Sequence, residues 1–147
     1  MSKVEDAIQC FHHGFNCSQA VFSTYSVDLG LDRETALKIS SPFGAGMGRM
    51  AETCGAVTGA FMLIGLKYGK FKPEDNEARE KSYALVKEFT KRFGEIHGSI
   101  CCKDLLKHDM NNPEEFKYIK ENGICDTLCP VFVRDAVQII EELLQLK

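Results

Sequence analysis

Seven cysteines, Cys10, Cys17, Cys54, Cys101, Cys102, Cys125 and Cys129, are the residues through which this chain could do chemistry. An odd number cannot be fully paired within one chain, and 147 residues bury enough surface to fold without cross-links. In a reducing compartment, so many thiols point to metal binding or redox exchange rather than to staples. A cysteine is also a small, easily buried hydrophobe, and for any one of the seven that role would be ordinary. The set is what departs from the ordinary. It contains no CxxC, no zinc-finger spacing and no ferredoxin-like run, so any shared site must be assembled by the fold from distant segments.

The elements that must do the assembling are helical. Apolar residues recur at helical spacing, and there is little period-2 alternation. The pattern predicts a first helix over Lys3–His13, ended by Gly14, and a second that Asn16 caps, running toward Leu29. Asp32 caps a third, Arg33–Ser40. A glycine-rich loop spans Pro42–Met50, and a fourth helix starts near Glu52 or Thr53 and runs to about Lys67. Pro73 opens a fifth, about Glu74–Ile96, stopped by Gly98. Ser99 caps Ile100–Leu106, Asn112 and Pro113 start Glu114–Glu121, and the last helix runs Pro130–Leu146. The expected architecture is an all-α, compact multi-helix bundle in one domain, 1–147.

Against these boundaries, Cys17, Cys54, Cys102 and Cys129 each fall within about one turn of a helix start. A helix start offers unpaired N–H groups and a partial positive charge, which favour a thiolate over a thiol. Cys125 is placed in the preceding loop; were that segment helical, Cys125 and Cys129 would share a face as i and i+4. Cys101 and Cys102 are adjacent, so one faces the site and the other the core. Gly55 and Gly59 share a helix face, which something must approach closely, either another helix backbone or a bound group. Those two are the candidate cofactor-binding residues. His12 and His13 suit a helix C-terminus, and His97 and His108 read as surface residues. The glycine loop is no phosphate cradle, since it lacks GxGxxG, GK[ST] and a preceding strand. It suits a backbone passing close to the thiols, with Arg49 as a positive charge beside Cys54 or as a solvated side chain.

The run Gly14-Phe15-Asn16-Cys17-Ser18-Gln19-Ala20-Val21, the loop Gly44–Gly48, the element Cys54-Gly55-Ala56-Val57-Thr58-Gly59, the segment Gly98–Leu106 and then Cys129 together resemble the redox-active family named for its C_GCAxxG_C_C cysteine pattern. The likeness covers about residues 12 to 145. It implies four shared thiols, Cys17, Cys54, Cys102 and Cys129, as the redox residues or the metal ligands. Cys102 is preferred over Cys101 because Lys-Asp-Leu-Leu follows it, and Cys129 over Cys125 because a valine-rich helix follows. Cys10, Cys101 and Cys125 are additional to the pattern. The family is associated with oxidoreductase or transport systems, so an oxidoreductase partner is expected.

Other classes are disfavoured. A net charge of -3 with no basic block argues against nucleic acid. The longest apolar stretch, Ala56–Leu66, is too short for a bilayer, and the N-terminal residues lack a secretory pattern, so a cytoplasmic location is expected. A homodimer is the default assembly. The leading expectation is four cysteines converging on one site, either for dithiol/disulfide exchange or for a metal or iron–sulfur centre in electron transfer. A non-catalytic zinc module and a helical interaction protein with core cysteines are the alternatives. Sulfurs scattered through separate apolar layers would favour the last.

Overall fold

The computed structural model describes residues 2–146 and contains, among them, eight α-helices and a single isolated antiparallel bridge. They are α1 (Lys3–His12), α2 (Cys17–Ser26), α3 (Arg33–Ser40), α4 (Gly55–Tyr68), α5 (Asn76–His97), α6 (Cys102–Leu106), α7 (Pro113–Glu121) and α8 (Ile124–Leu144). The all-α bundle expected from the sequence is what forms.

Several starts and stops are local. Asn16 caps α2 with its side chain on the Gln19 amide at 2.9 Å, while the Gln19 side chain returns to the Asn16 amide at 3.0 Å. Asp32 and Asn112 cap α3 and α7, and Gly98 closes α5 in the left-handed conformation. Four boundaries depart from expectation, the first being α6, which begins at Cys102 with Cys101 as its cap residue rather than at Ile100 after Ser99. Asp75, not Pro73, caps α5, with its carboxylate on the Ala78 amide at 3.1 Å. The fourth helix begins at Gly55, leaving Cys54 as its cap residue. The last helix begins at Ile124, so Pro130 sits inside it rather than at its start. Pro130 has no N–H, so the Asp126 carbonyl four residues back lacks its usual donor.

Helices α2 and α4 form the centre. Both are buried nearly all round, and they touch through small residues. A Cβ on Gly59 would lie 2.8 Å from the Ser18 carbonyl oxygen, so this face is filled by the α2 backbone. Close helix packing, one of the two readings left open for the glycine pair, therefore occupies the Gly59 position. Around this pair, α1, α3 and α8 pack on α2, while α5 and α8 pack on α4. Leu63, Ile64, Phe89, Phe93, Val133, Val137, Ile140 and Leu144 are fully buried there. Each such side chain contributes about 1.5–3 kcal/mol of burial. Phe89 stacks on Phe93 at 5.8 Å between centroids and meets Phe61 edge-on.

His97 corrects the surface reading. It is half-buried between Phe93 and Phe132, with Nε2 2.8 Å from the Asp135 carboxylate. Its partner lies 38 residues away, so nothing near His97 in the chain announces it.

Candidate functional site

A cavity of about 320 Å³ opens at the end of the bundle where α2, α4 and α6 begin. Cys17, Cys54, Cys102, Cys125 and Cys129 all line it, and apolar residues including Phe11, Leu105, Met110 and Ile119 complete much of the wall. The four thiols expected together are thus brought to one place, and Cys125 joins them. Cys10 stands apart, buried against the Ser23 hydroxyl at 3.8 Å.

Each sulfur is positioned by a different local rule. Cys17 is the first residue of α2, directly after the Asn16 capping box, and its Sγ lies over Gly55. A side chain at Gly55 would collide with that sulfur and come within 3.0 Å of the Ser18 amide nitrogen. Glycine at 55 thus lets the start of α2 reach the start of α4. Cys54 and Cys102 are tied by backbone pairing. The Cys54 amide donates to the Ile100 carbonyl at 2.7 Å, the Cys102 amide donates to the Glu52 carbonyl at 2.6 Å, and Thr53 bridges Cys101 between them. Alternation along paired extended segments puts Cys54 and Cys102 on one side and Cys101 on the other. Cys101 accordingly turns away, its thiol on the Ala51 carbonyl at 3.3 Å.

The structure corrects two placements: Cys125 lies in α8 rather than in the preceding loop, and Cys129 lies inside α8 rather than just before its start. Both lie in the first two turns of α8, one turn apart on one face. The helix-start position assigned to Cys129 belongs to Cys125. The usable signal was the i, i+4 spacing directly after Asn122-Gly123; Pro130 drew the boundary too late.

The loop before α4 was the least expected part. Ala45, Gly46, Met47, Gly48 and Arg49 all have positive φ, between 56° and 69°, making one left-handed turn. For residues with a side chain this conformation costs roughly 1–2 kcal/mol each. The turn is held by the Gly48 amide on the Gly44 carbonyl at 2.9 Å, the Glu52 amide on the Gly46 carbonyl at 3.0 Å, and the Asn16 side-chain amide on the Ser41 carbonyl at 2.9 Å. It places Ala45 on the cavity wall together with Cys17. At the rim, the Arg49 guanidinium lies over the Phe116 ring at 4.5 Å and the Lys120 ammonium lies over the same ring at 5.5 Å. Arg49 thus lines the cavity with its charge stacked on an aromatic ring.

The electrostatics single out Cys17. The neighbouring Cys54 thiol, then the amides of Ala45, Ser18 and Cys17 itself, hold its pKa down to about 7 against the opposing effect of burial. Cys54 is raised well above the ordinary thiol value, first by Cys17 beside it and then by burial. Burial, reinforced by Cys17, pushes Cys102 up to about 12. In the second pair, the Cys129 thiol lowers Cys125, while Cys125 and burial raise Cys129. In each pair, therefore, one thiol is held below the ordinary thiol value and the other above it.

The same sulfurs were candidate metal ligands. Among the described residues, no group of three or more His, Cys, Asp or Glu side chains is placed to hold an ion. Among those residues, too, no disulfide is formed and no helix is long and apolar enough to cross a membrane.

Residues 15–143 match the family described as "Putative redox-active protein (C_GCAxxG_C_C)". The chain belongs to that family. No curated protein and no solved structure matches it. The family match spans the α2 start, the left-handed turn, the α4 start, α6 and most of α8, and so takes in all five cavity thiols.

Proposed function

We propose that this C_GCAxxG_C_C protein is a thiol–disulfide redox protein in which Cys17 is the attacking thiolate and Cys54 the resolving thiol. The observation that carries the reading is the burial of Cys17, at the first turn of α2, and Cys54, at the cap of α4, on the wall of one cavity. A thiolate with a pKa near ambient pH is the most effective attacker. Cys17 attacks one sulfur of a disulfide, expelling a thiolate and forming a mixed disulfide. Cys54 then gives up its proton and attacks the Cys17 sulfur, releasing the second half as a thiol. Cys17–Cys54 is left oxidised and the substrate reduced by two electrons. A cytoplasmic setting and an oxidoreductase that re-reduces the pair belong to the same reading.

The rate of Cys17 alkylation by iodoacetamide tests it. Below pH 7 Cys17 is a thiol, and the rate falls about tenfold per pH unit; above pH 7 it is a thiolate, and the rate levels off. Replacing Cys54 with alanine removes the largest lowering influence, so the midpoint moves upward. A midpoint near 8.5, the value of an unperturbed thiol, in both proteins overturns the assignment. So does failure to recover a reversible Cys17–Cys54 linkage after oxidation.

A further inference from the structure

The sulfurs of Cys125 and Cys129 are outside the exchange just described, yet they share its cavity. They project from one face of α8, one turn apart. Four residues of helix rise about 6 Å, within the Cα separation that a disulfide spans. Bringing the two Cβ atoms closer requires a local bend. Pro130 follows Cys129 and leaves the Asp126 carbonyl without its intrahelical donor, so the bend breaks no hydrogen bond there. Gly123, the residue before α8, is left-handed, a Cβ there would meet the Asp126 carboxylate only at 3.9 Å, and no side chain caps the helix. Cys17, Cys54, Cys125 and Cys129 all line this one cavity of about 320 Å³.

We infer that Cys125 and Cys129 form a second dithiol that reduces the Cys17–Cys54 disulfide directly across the cavity. This rests on the Cys17–Cys54 exchange proposed above. The Cys125 thiolate attacks the Cys54 sulfur, since Cys17 is the better leaving group. The Cys17–Cys54 bond breaks, a Cys54–Cys125 bond forms, and Cys17 leaves as a thiolate. Cys129 loses its proton and attacks the Cys125 sulfur, and the departing Cys54 takes the proton up. One disulfide is exchanged for another, two electrons move from the second pair to the first, and the total charge is unchanged. The direction follows from the amides that stabilise the released Cys17 thiolate, because a stabilised reduced form makes a disulfide the stronger oxidant.

The experiment treats the full-length reduced protein with one equivalent of bis(2-hydroxyethyl) disulfide. Samples are quenched in acid at intervals, blocked with N-ethylmaleimide and mapped by mass spectrometry. The expected result is a Cys17–Cys54 linkage that appears first and then declines, with more than half of the protein ending as Cys125–Cys129 and no further oxidant added. In Cys125→Ser the Cys17–Cys54 linkage persists. A wild-type Cys17–Cys54 linkage that stays constant, with Cys125 and Cys129 fully blocked by maleimide, overturns the relay and leaves the first exchange standing. A Cys125–Cys129 linkage forming equally fast in Cys17→Ser also overturns the relay, because the second pair would then be oxidised independently. Absence of any Cys17–Cys54 linkage in Cys125→Ser overturns the first exchange, and the relay with it.

Discussion

The two ends of the bundle are built to different rules. Where α5 and α8 pack on α4, ordinary right-handed helices bury aliphatic and aromatic side chains, and Phe89, Phe93, Val137 and Ile140 have no exposed surface. At the cavity end, five consecutive residues are left-handed, the buried Ser18 hydroxyl has no partner among the described residues, and neighbouring thiols have divergent ionisation. One end stores stability. The other spends part of it holding amides and a neighbouring thiol around one sulfur. Departures from local preference gather where the chemistry is.

Substitutions at the two ends should therefore separate stability from thiol behaviour. The largest loss of stability is expected for Leu63→Ala, a fully buried leucine, at about 2–5 kcal/mol in denaturant unfolding. Its Cys17 alkylation midpoint should stay near 7; a shift of a full pH unit would show that the two ends are not independent. Next, Gly55→Ala should cost about 1–3 kcal/mol by overpacking, and it should also displace Cys17 from its amides and raise the midpoint. A variant that loses stability without moving the midpoint would break the assigned role of the α2–α4 contact. The smallest effect is expected for Asn16→Ala. Loss of the cap costs about 1 kcal/mol, and loss of the anchor on the Ser41 carbonyl loosens the left-handed turn, raising the midpoint modestly.

What the sequence revealed divides along the same line. The caps at Asn16, Asp32 and Asn112 and the stop at Gly98 depend on contacts within a few residues, and each was legible. So was the gathering of Cys17, Cys54 and Cys102 at helix starts. Cys125 was misplaced because proline is the usual mark of a first helical turn, whereas here α8 tolerates it further in. The left-handed turn was invisible because it is imposed from outside, by Asn16 on one flank and the Glu52 amide on the other. Cys101 and Cys102 were separated correctly, but the cause is the extended pairing with residues 52–54 rather than helix geometry.

Arg49 and Lys120, stacked over Phe116, set the terms of traffic into the cavity. Two positive groups on one aromatic plate, with Asp126 the only acid on the wall among the described residues, give the approach a net attraction for negatively charged visitors. That attraction reaches about 8–10 Å in physiological salt and shrinks as ionic strength rises. An anionic reagent such as iodoacetate should lose more of its speed toward the cavity than neutral iodoacetamide does when salt is added.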